Sequence, residues 1–251
     1  MYSVAVSLVT IVWPSSVRAR CRLSGGEYWT VSVIGGAASI GYDGDDKGRN
    51  IGANVAGRVN DTVQWLIGAN TNRSDALDNM GTNDAANVDR TTPNPERNRG
   101  NAVLGKVVIT PGGGQRHVVT LEHVDKKATY NLLSNIARPP LAATSTLAAN
   151  SFTDMERNRL TWDGRWRLNT AVADEVQTTL SWQEADSREY SFEDRNTSPD
   201  RIRDTTYNER TLQANVQLGK TVRMANGWAQ KVTYGLDHTR ANITNLQTGL
   251  T

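Results

Sequence analysis

The chain has 251 residues, enough to bury a large core in one or two domains. Hydrophobic residues make up 37% and mean hydropathy is -0.53; no run of 18 apolar residues exists, which excludes a transmembrane helix but not a transmembrane strand, whose apolar groups recur only at alternate positions. The net charge of +2 is too small to argue for nucleic acid, and the single cysteine, Cys21, leaves no internal disulfide and no thiolate metal cluster. Seven Trp and seven Tyr against two Phe is a skewed aromatic set, of the kind favoured where lipid meets water.

Residues 1–13 resemble the apolar core of a signal peptide, and Val17-Arg-Ala19 mimics a cleavage site. No Lys or Arg precedes the apolar run, so residues 1–30 stand as an unassigned or signal-like segment, with a start placed inside a longer reading frame as the alternative. Strands are expected from Val31. Val31 to Tyr42 is rich in Gly and Ala and ends in the polar turn Asp43-Gly-Asp-Asp-Lys-Gly48. Asn50 to Val59 and Thr62 to Asn72 read as strands around the Asn60-Asp61 turn signal. A long polar loop follows from Arg73 to Glu96. Asn101 to Thr110 and Gln115 to Val124 flank Pro111-Gly-Gly-Gly114, which reads as a turn because it lacks the Gly-Lys-Ser/Thr of a phosphate cradle. In the first of these strands the alternation is poor, with Leu104 and Val108 on the face of Lys106. A second long loop, 125–153, leads to the clearest part of the chain.

From Leu160 the alternation is regular. Leu160, Trp162, Gly164, Trp166 and Leu168 oppose Thr161, Asp163, Arg165 and Arg167. Val176, Thr178, Leu180 and Trp182 oppose Gln177, Thr179, Ser181 and Gln183. Leu212, Ala214, Val216 and Leu218 oppose Thr211, Gln213, Asn215 and Gln217. Trp228, Val232, Tyr234 and Leu236 oppose Lys231, Thr233, Gly235 and Asp237. A third loop is expected at 188–205, and short turns near 170–175 and 223–227. Short and long connections therefore alternate, which places the long loops 73–96, 125–153 and 188–205 together at one end of an up-and-down meander. That is the layout of an outer-membrane barrel, whereas a sandwich mixes loop lengths and a propeller repeats a blade motif. The expected fold is all-β, an antiparallel up-and-down transmembrane β-barrel with about nine strands in this chain. Leu160, Trp162, Trp166, Leu180, Trp182, Leu212, Val216, Val232 and Leu236 are expected to face lipid, and Asp163, Arg165, Arg167, Gln177, Gln213 and Asn215 a water-filled lumen.

Several short motifs carry a resemblance: Ala56-Gly57-Arg58, Pro93-Asn-Pro95 before Leu104-Gly-Lys106, Glu193-Asp-Arg195 followed by Asp200-Arg-Ile-Arg-Asp204 and Tyr207-Asn-Glu-Arg210, and Tyr234-Gly-Leu-Asp237. In this order they resemble TonB-dependent outer-membrane receptors, and within them the haem, haemoglobin and transferrin receptor branch, over about residues 35–251. The resemblance implies a plugged barrel of about 22 strands, of which residues 31–251 would be an incomplete portion. It implies uptake of haem or iron from haemoglobin-type carriers, with haem as transported ligand, outer-membrane lipid around the barrel, the TonB complex engaged through the plug, and the iron carrier met by the extracellular loops. The family's plug, its later FRAP and NPNL motifs and the haem-ligand His between them are expected outside these residues. A ferric-siderophore receptor and a porin-like passive barrel are the alternatives.

No nucleotide loop, nucleophile elbow or zinc spacing occurs, so no enzyme is expected. His117 and His123 fall on the face of Val119 and Leu121, where lipid contact outweighs iron ligation. His238 is the better-placed histidine, and Tyr190 and Tyr207 flank the charged loop; these three are the cofactor-binding candidates. Interfacial girdle positions are the more ordinary use of the tyrosines. Asp186, Glu189, Glu193, Asp194, Asp200 and Asp204 alternate with Arg188, Arg195, Arg201 and Arg203, which reads as a self-neutralising loop in preference to a calcium cage, so no metal is expected.

Overall fold

The computed structural model describes residues 17–22, 28–225 and 228–250. Ten strands form a single antiparallel sheet in chain order: β1 (Val17–Arg22), β2 (Tyr28–Asp43), β3 (Gly48–Arg58), β4 (Val63–Asp75), β5 (Glu96–Gly112), β6 (Gln115–Asn131), β7 (Thr146–Arg167), β8 (Glu175–Arg195), β9 (Arg201–Arg223) and β10 (Ala229–Leu250). Every neighbour in the sheet is a neighbour in the chain, so the topology is a plain meander, and the sheet is not closed into a barrel. The nine expected strands are β2 to β10. The additional strand, β1, pairs with the start of β2 inside the stretch left unassigned. The signal-like residues 1–13 lie outside the described residues. One turn of 3-10 helix, Leu133–Asn135, is the sole helical element among the described residues.

The strands run further than the alternation indicates, and the loops shrink accordingly. The 73–96 loop is 76–95, the 125–153 loop is 132–145, and the 188–205 loop is reduced to the five residues 196–200. The last is a correction with a clear cause. In the outer halves of β8 and β9 both faces are polar, so period two vanishes from the sequence. The strands are held there by the backbone ladder and by charges that meet across it. Arg188 donates two hydrogen bonds to Asp204, at 2.9 and 2.6 Å, and Arg210 Nε lies 2.7 Å from Glu184. These connections still share one end of the sheet. Asp75 N donates to Asp46 O at 2.8 Å and Val88 N to Ile136 O at 2.9 Å. Asn196 N donates to Ser145 O at 2.9 Å. The turn 44–47 and the three loops thus clasp one another into a continuous rim.

The opposite end is tight. Between β5 and β6, Gly112 pairs with Gln115, leaving Gly113 and Gly114 as a two-residue turn with φ of 61° and 74°. Both central residues of such a hairpin need positive φ, which glycine adopts without steric cost. Between β7 and β8, Asp174 organises residues 168–174. Its carboxylate accepts from Lys220 Nζ at 2.7 Å and from Thr221 N at 2.7 Å, and Lys220 Nζ also donates to Thr170 O. Tyr234 OH closes the cluster onto Val172 O at 2.7 Å. The Lys220 hydrogen bond, then that from Thr221, hold the Asp174 carboxyl below its ordinary range.

Where a core should be, there is almost nothing. Val118, Ala149 and Ala173 are the buried apolar residues among those described, and Ser181 the buried polar one. The chain exposes 17383 Å². A folded monomer of 27.5 kDa exposes about 11,000 Å². Among the described residues the sheet is a single layer, with no other element packed on either face.

Candidate functional site

The pairing register assigns each side chain to a face, because residues directly opposite in an antiparallel pair point the same way. Leu160, Trp182 and Leu212 form one cross-strand row, and Trp162, Leu180 and Ala214 the next. On the other face Asp163 opposes Thr179, which opposes Asn215, which opposes Asp237. The nine residues expected on one face all share it, and the six expected on the other share that one. The apolar face continues across Val232 and Leu236 on β10 and back through Val119 and Leu121 on β6, Val103 and Val107 on β5, Trp65 and Ile67 on β4, Ile51 and Val55 on β3 and Ile40 on β2.

This apolar surface is a band. On β7 it spans Leu160 to Trp166, a length of about 20 Å along the strand at ~3.3 Å per residue. Nine strands at ~4.8 Å give a width of about 40 Å, hence roughly 800 Å². The largest apolar patch on an ordinary monomer is about 300–600 Å². Within the band, Ile67 is 57% exposed and Leu121 58%. Its rings are packed on one another: His117 stacks on Trp162 at 5.9 Å and meets Trp166 edge-on at 5.3 Å. A Cβ at Gly164 would fall 2.3 Å from the Trp166 ring, so the two tryptophans cover that glycine.

The band is oblique to the hydrogen bonds. Ile51, its upper limit on β3, shares a row with Asn101, Glu156 and Thr244, whereas on β10 the contiguous band begins at Leu236, eight residues below Thr244. At the lower edge, Val63 on β4 shares a row with Leu236, and the band on β10 ends at Val232, four residues further down. Over six or seven strand steps the band therefore descends by between four and eight residues.

Behind the band the other face carries connected polar groups. Thr179 Oγ1 donates to Asp163 at 2.8 Å, Arg165 pairs with Glu175 at 2.8 Å, and Arg159 Nε donates to Ser181 Oγ at 3.3 Å. Asn215 Nδ2 donates to Asp237 at 3.2 Å. This face is not uniformly polar: Leu66, Leu104, Val108, Val118 and Val124 interrupt it on β4 to β6, in keeping with the poor alternation there.

The candidate iron ligands do not converge. Tyr190 lies on the apolar side of β8 and pairs with Asp204; Tyr207 lies on the polar side of β9, where its hydroxyl donates to Glu209 at 2.9 Å. His238 pairs with Ala214, ten residues along β9 from Asp204, or about 33 Å. His117 and His123 share the apolar face as expected, and His123 Nδ1 sits 2.8 Å from Asn158 Oδ1. The carboxylates considered as a cage do not converge: on the strands they divide between the two faces, and four of the six have partners of their own. Asp204 is held by Arg188, Glu193 by Thr146 at 2.8 Å and Arg201 at 3.2 Å, Asp186 by Asn208, and Asp200 by the backbone N of Arg195. Among the described residues no three His, Cys, Asp or Glu side chains gather at metal-ligand spacing. A feature that sequence reasoning missed is aromatic: Phe152 and Tyr190 stack at 5.3 Å near the rim, with Lys127 and Arg188 over the Phe152 ring at 5.2 and 5.6 Å. Their 38-residue separation is bridged only by the register of β7 and β8. No protein-family model matches the chain, and no curated protein matches it.

Proposed function

We propose that this sheet is part of the wall of a transmembrane β-barrel in a bacterial outer membrane, with the apolar face toward lipid and the polar face toward a water-filled lumen. One observation carries the reading: a single-layer sheet without a core bears a continuous apolar band that runs obliquely across nine strands. In a barrel, strands tilt while the membrane stays level, so the band must step down from strand to strand. A step of about one residue per strand is ~3.3 Å along for ~4.8 Å across, a tilt of about 35°. The two band edges bracket this at about 25–40°, against about 35–45° in known barrels. At a tilt of about 35° the ~20 Å of band along β7 stands about 16 Å high, within the ~25 Å apolar belt of such proteins. A soluble sandwich would bury this face beneath a second sheet, and the described chain has only one.

Within that class, the reading favoured by the motifs is a portion of a TonB-dependent receptor that takes up haem, or iron from haemoglobin-type carriers. In its support, Glu193-Asp-Arg195 and Asp200-Arg-Ile-Arg-Asp204 stand at the rim formed by the clasped loops, where a carrier outside the cell would be met. Strands of 21 to 23 residues in β8 and β9 are about twice the 9–11 needed to cross a bilayer, so their charged outer halves would project toward such a ligand. The experiment is fractionation of cells expressing the chain, followed by carbonate extraction and haem-dependent growth with the full-length parent. Retention in the outer membrane and growth on haemoglobin are expected. Release by carbonate would remove the membrane reading; growth on a ferric siderophore but not on haem would move the substrate.

A further inference from the structure

Above the apolar band, on the same face, the register brings together three arginines from distant parts of the chain. Arg49 on β3 directly opposes Arg73 on β4, which directly opposes Arg99 on β5. Directly opposed side chains have Cβ atoms about 4.5–5.5 Å apart, and like charges at that spacing destabilise a sheet. All three are exposed, and none makes an ion pair or a side-chain hydrogen bond with any described residue. Lys47 and Arg97 join Arg49 and Arg73 in lining one shallow depression, where Asp75 is the sole acidic side chain. The same row behaves differently further along the sheet: Lys127 pairs with Asp154 and Arg188 with Asp204. Asp43 and Asp46 line an adjoining depression with Arg49 and Arg73 but make no ion pair with either among the described residues, so within the row the β3–β5 segment is the part without an acidic partner.

Its height decides what fits. Arg49 is the next residue on its face above Ile51, and Arg73 and Arg99 lie two such steps above Ala69 and Val103. That is about 7–13 Å along the strands, or about 5–11 Å in height at a tilt of about 35°, which runs from within the layer of headgroups, about 5–8 Å thick on each side, to just beyond its outer edge. Tyr42 opposes Arg49 and extends the row with an interfacial residue. We propose that Arg49, Arg73 and Arg99 form a binding site for the phosphate groups of an anionic membrane lipid, seated against the outer side of the sheet with its acyl chains along Ile40, Ile51 and Ile67. Guanidinium forks match phosphate oxygens in pairs, and an anion shared by three of them removes the repulsion within the row.

The assignment rests on the membrane reading above, and its test separates the two. The full chain is folded into vesicles of phosphatidylcholine with and without phosphatidylglycerol, and the ratio of the two partition coefficients is measured. The Arg49→Gln, Arg73→Gln and Arg99→Gln variant should enter phosphatidylcholine vesicles as the parent does, but lose its preference for phosphatidylglycerol about a hundredfold, with about fivefold for Arg73→Gln alone. A control carrying Lys106→Gln, Arg116→Gln and Lys231→Gln, which removes the same charge from the polar face, should keep the preference. Equal loss in the control would reduce the effect to net charge and overturn the site, as would an unchanged ratio in the arginine variants. Loss of the parent's preference in inorganic phosphate, compared with chloride at equal ionic strength, would make this a free-anion site and overturn the lipid assignment. Failure of the parent to enter either vesicle would overturn the membrane reading, and this proposal with it.

Discussion

Leu180→Arg separates a lipid-facing sheet from a water-facing one. Leu180 lies near the middle of the band on β8, between Trp162 of β7 and Ala214 of β9, and is 44% exposed. If that face meets water, an arginine there is a surface substitution worth within about 0.5 kcal/mol. If it meets hydrocarbon, the cost is about 2–4 kcal/mol at the bilayer midplane, which is about 30- to 900-fold in the folding equilibrium. Gln177→Arg is the matched control. It lies three residues away on the opposite face, beside Glu175, which already binds Arg165 and can accept a second guanidinium. Both variants would be folded into phospholipid vesicles against urea and followed by tryptophan fluorescence. Leu180→Arg should shift the midpoint strongly and Gln177→Arg only slightly. Equal midpoints for the two variants would refute the assignment of faces.

Three further outcomes follow from particular contacts. Gly164→Val drives a side chain into the Trp162 and Trp166 rings and should cost about 1–3 kcal/mol, with loss of the aromatic near-ultraviolet circular dichroism signal. The Asp174 carboxyl is held below its ordinary range, so its contribution to stability is present above the unfolded value of about 3.9 and is lost as pH falls through the lower folded value. Asp174→Asn should therefore lower stability at neutral pH and flatten the acid limb of the unfolding curve measured below about pH 4; an unchanged acid limb would show that the carboxylate is not held by Lys220. Because Tyr190, Tyr207 and His238 stand apart, haem titrated into this chain should bind weakly, and His238→Ala should leave the titration unchanged. Tight binding abolished by that substitution would place an iron ligand here.

The lower halves of β7 to β10 were legible because one face alone is apolar, and period two is then written in residues such as Leu160, Trp162 and Trp166. The upper halves were not. Asp154 to Arg159, Glu184 to Glu193 and Arg201 to Arg210 place polar groups on both faces, and a strand solvated on both sides leaves no periodic trace. Its evidence is the pairing of Arg210 with Glu184 and of Arg188 with Asp204, which requires the fold to be seen. The Pro111-Gly-Gly-Gly114 turn was legible from its residues, since positive φ selects glycine. The arginine row was beyond sequence reasoning altogether, because residues 49, 73 and 99 become neighbours only through two strand registers. The same holds for the slope of the apolar band, which is a property of nine registers taken together.

The central claim, that one face of this sheet meets lipid and the other water, is tested most directly by single cysteines placed in turn at positions 176 to 182, in a Cys21→Ser background, with the chain folded into vesicles and exposed to a water-soluble maleimide. Gln177 and Thr179 positions should label and Val176, Thr178, Leu180 and Trp182 positions should resist, while position 181, buried beneath Arg159, should label slowly. Equal labelling at all seven positions, or labelling of the even positions alone, would contradict it.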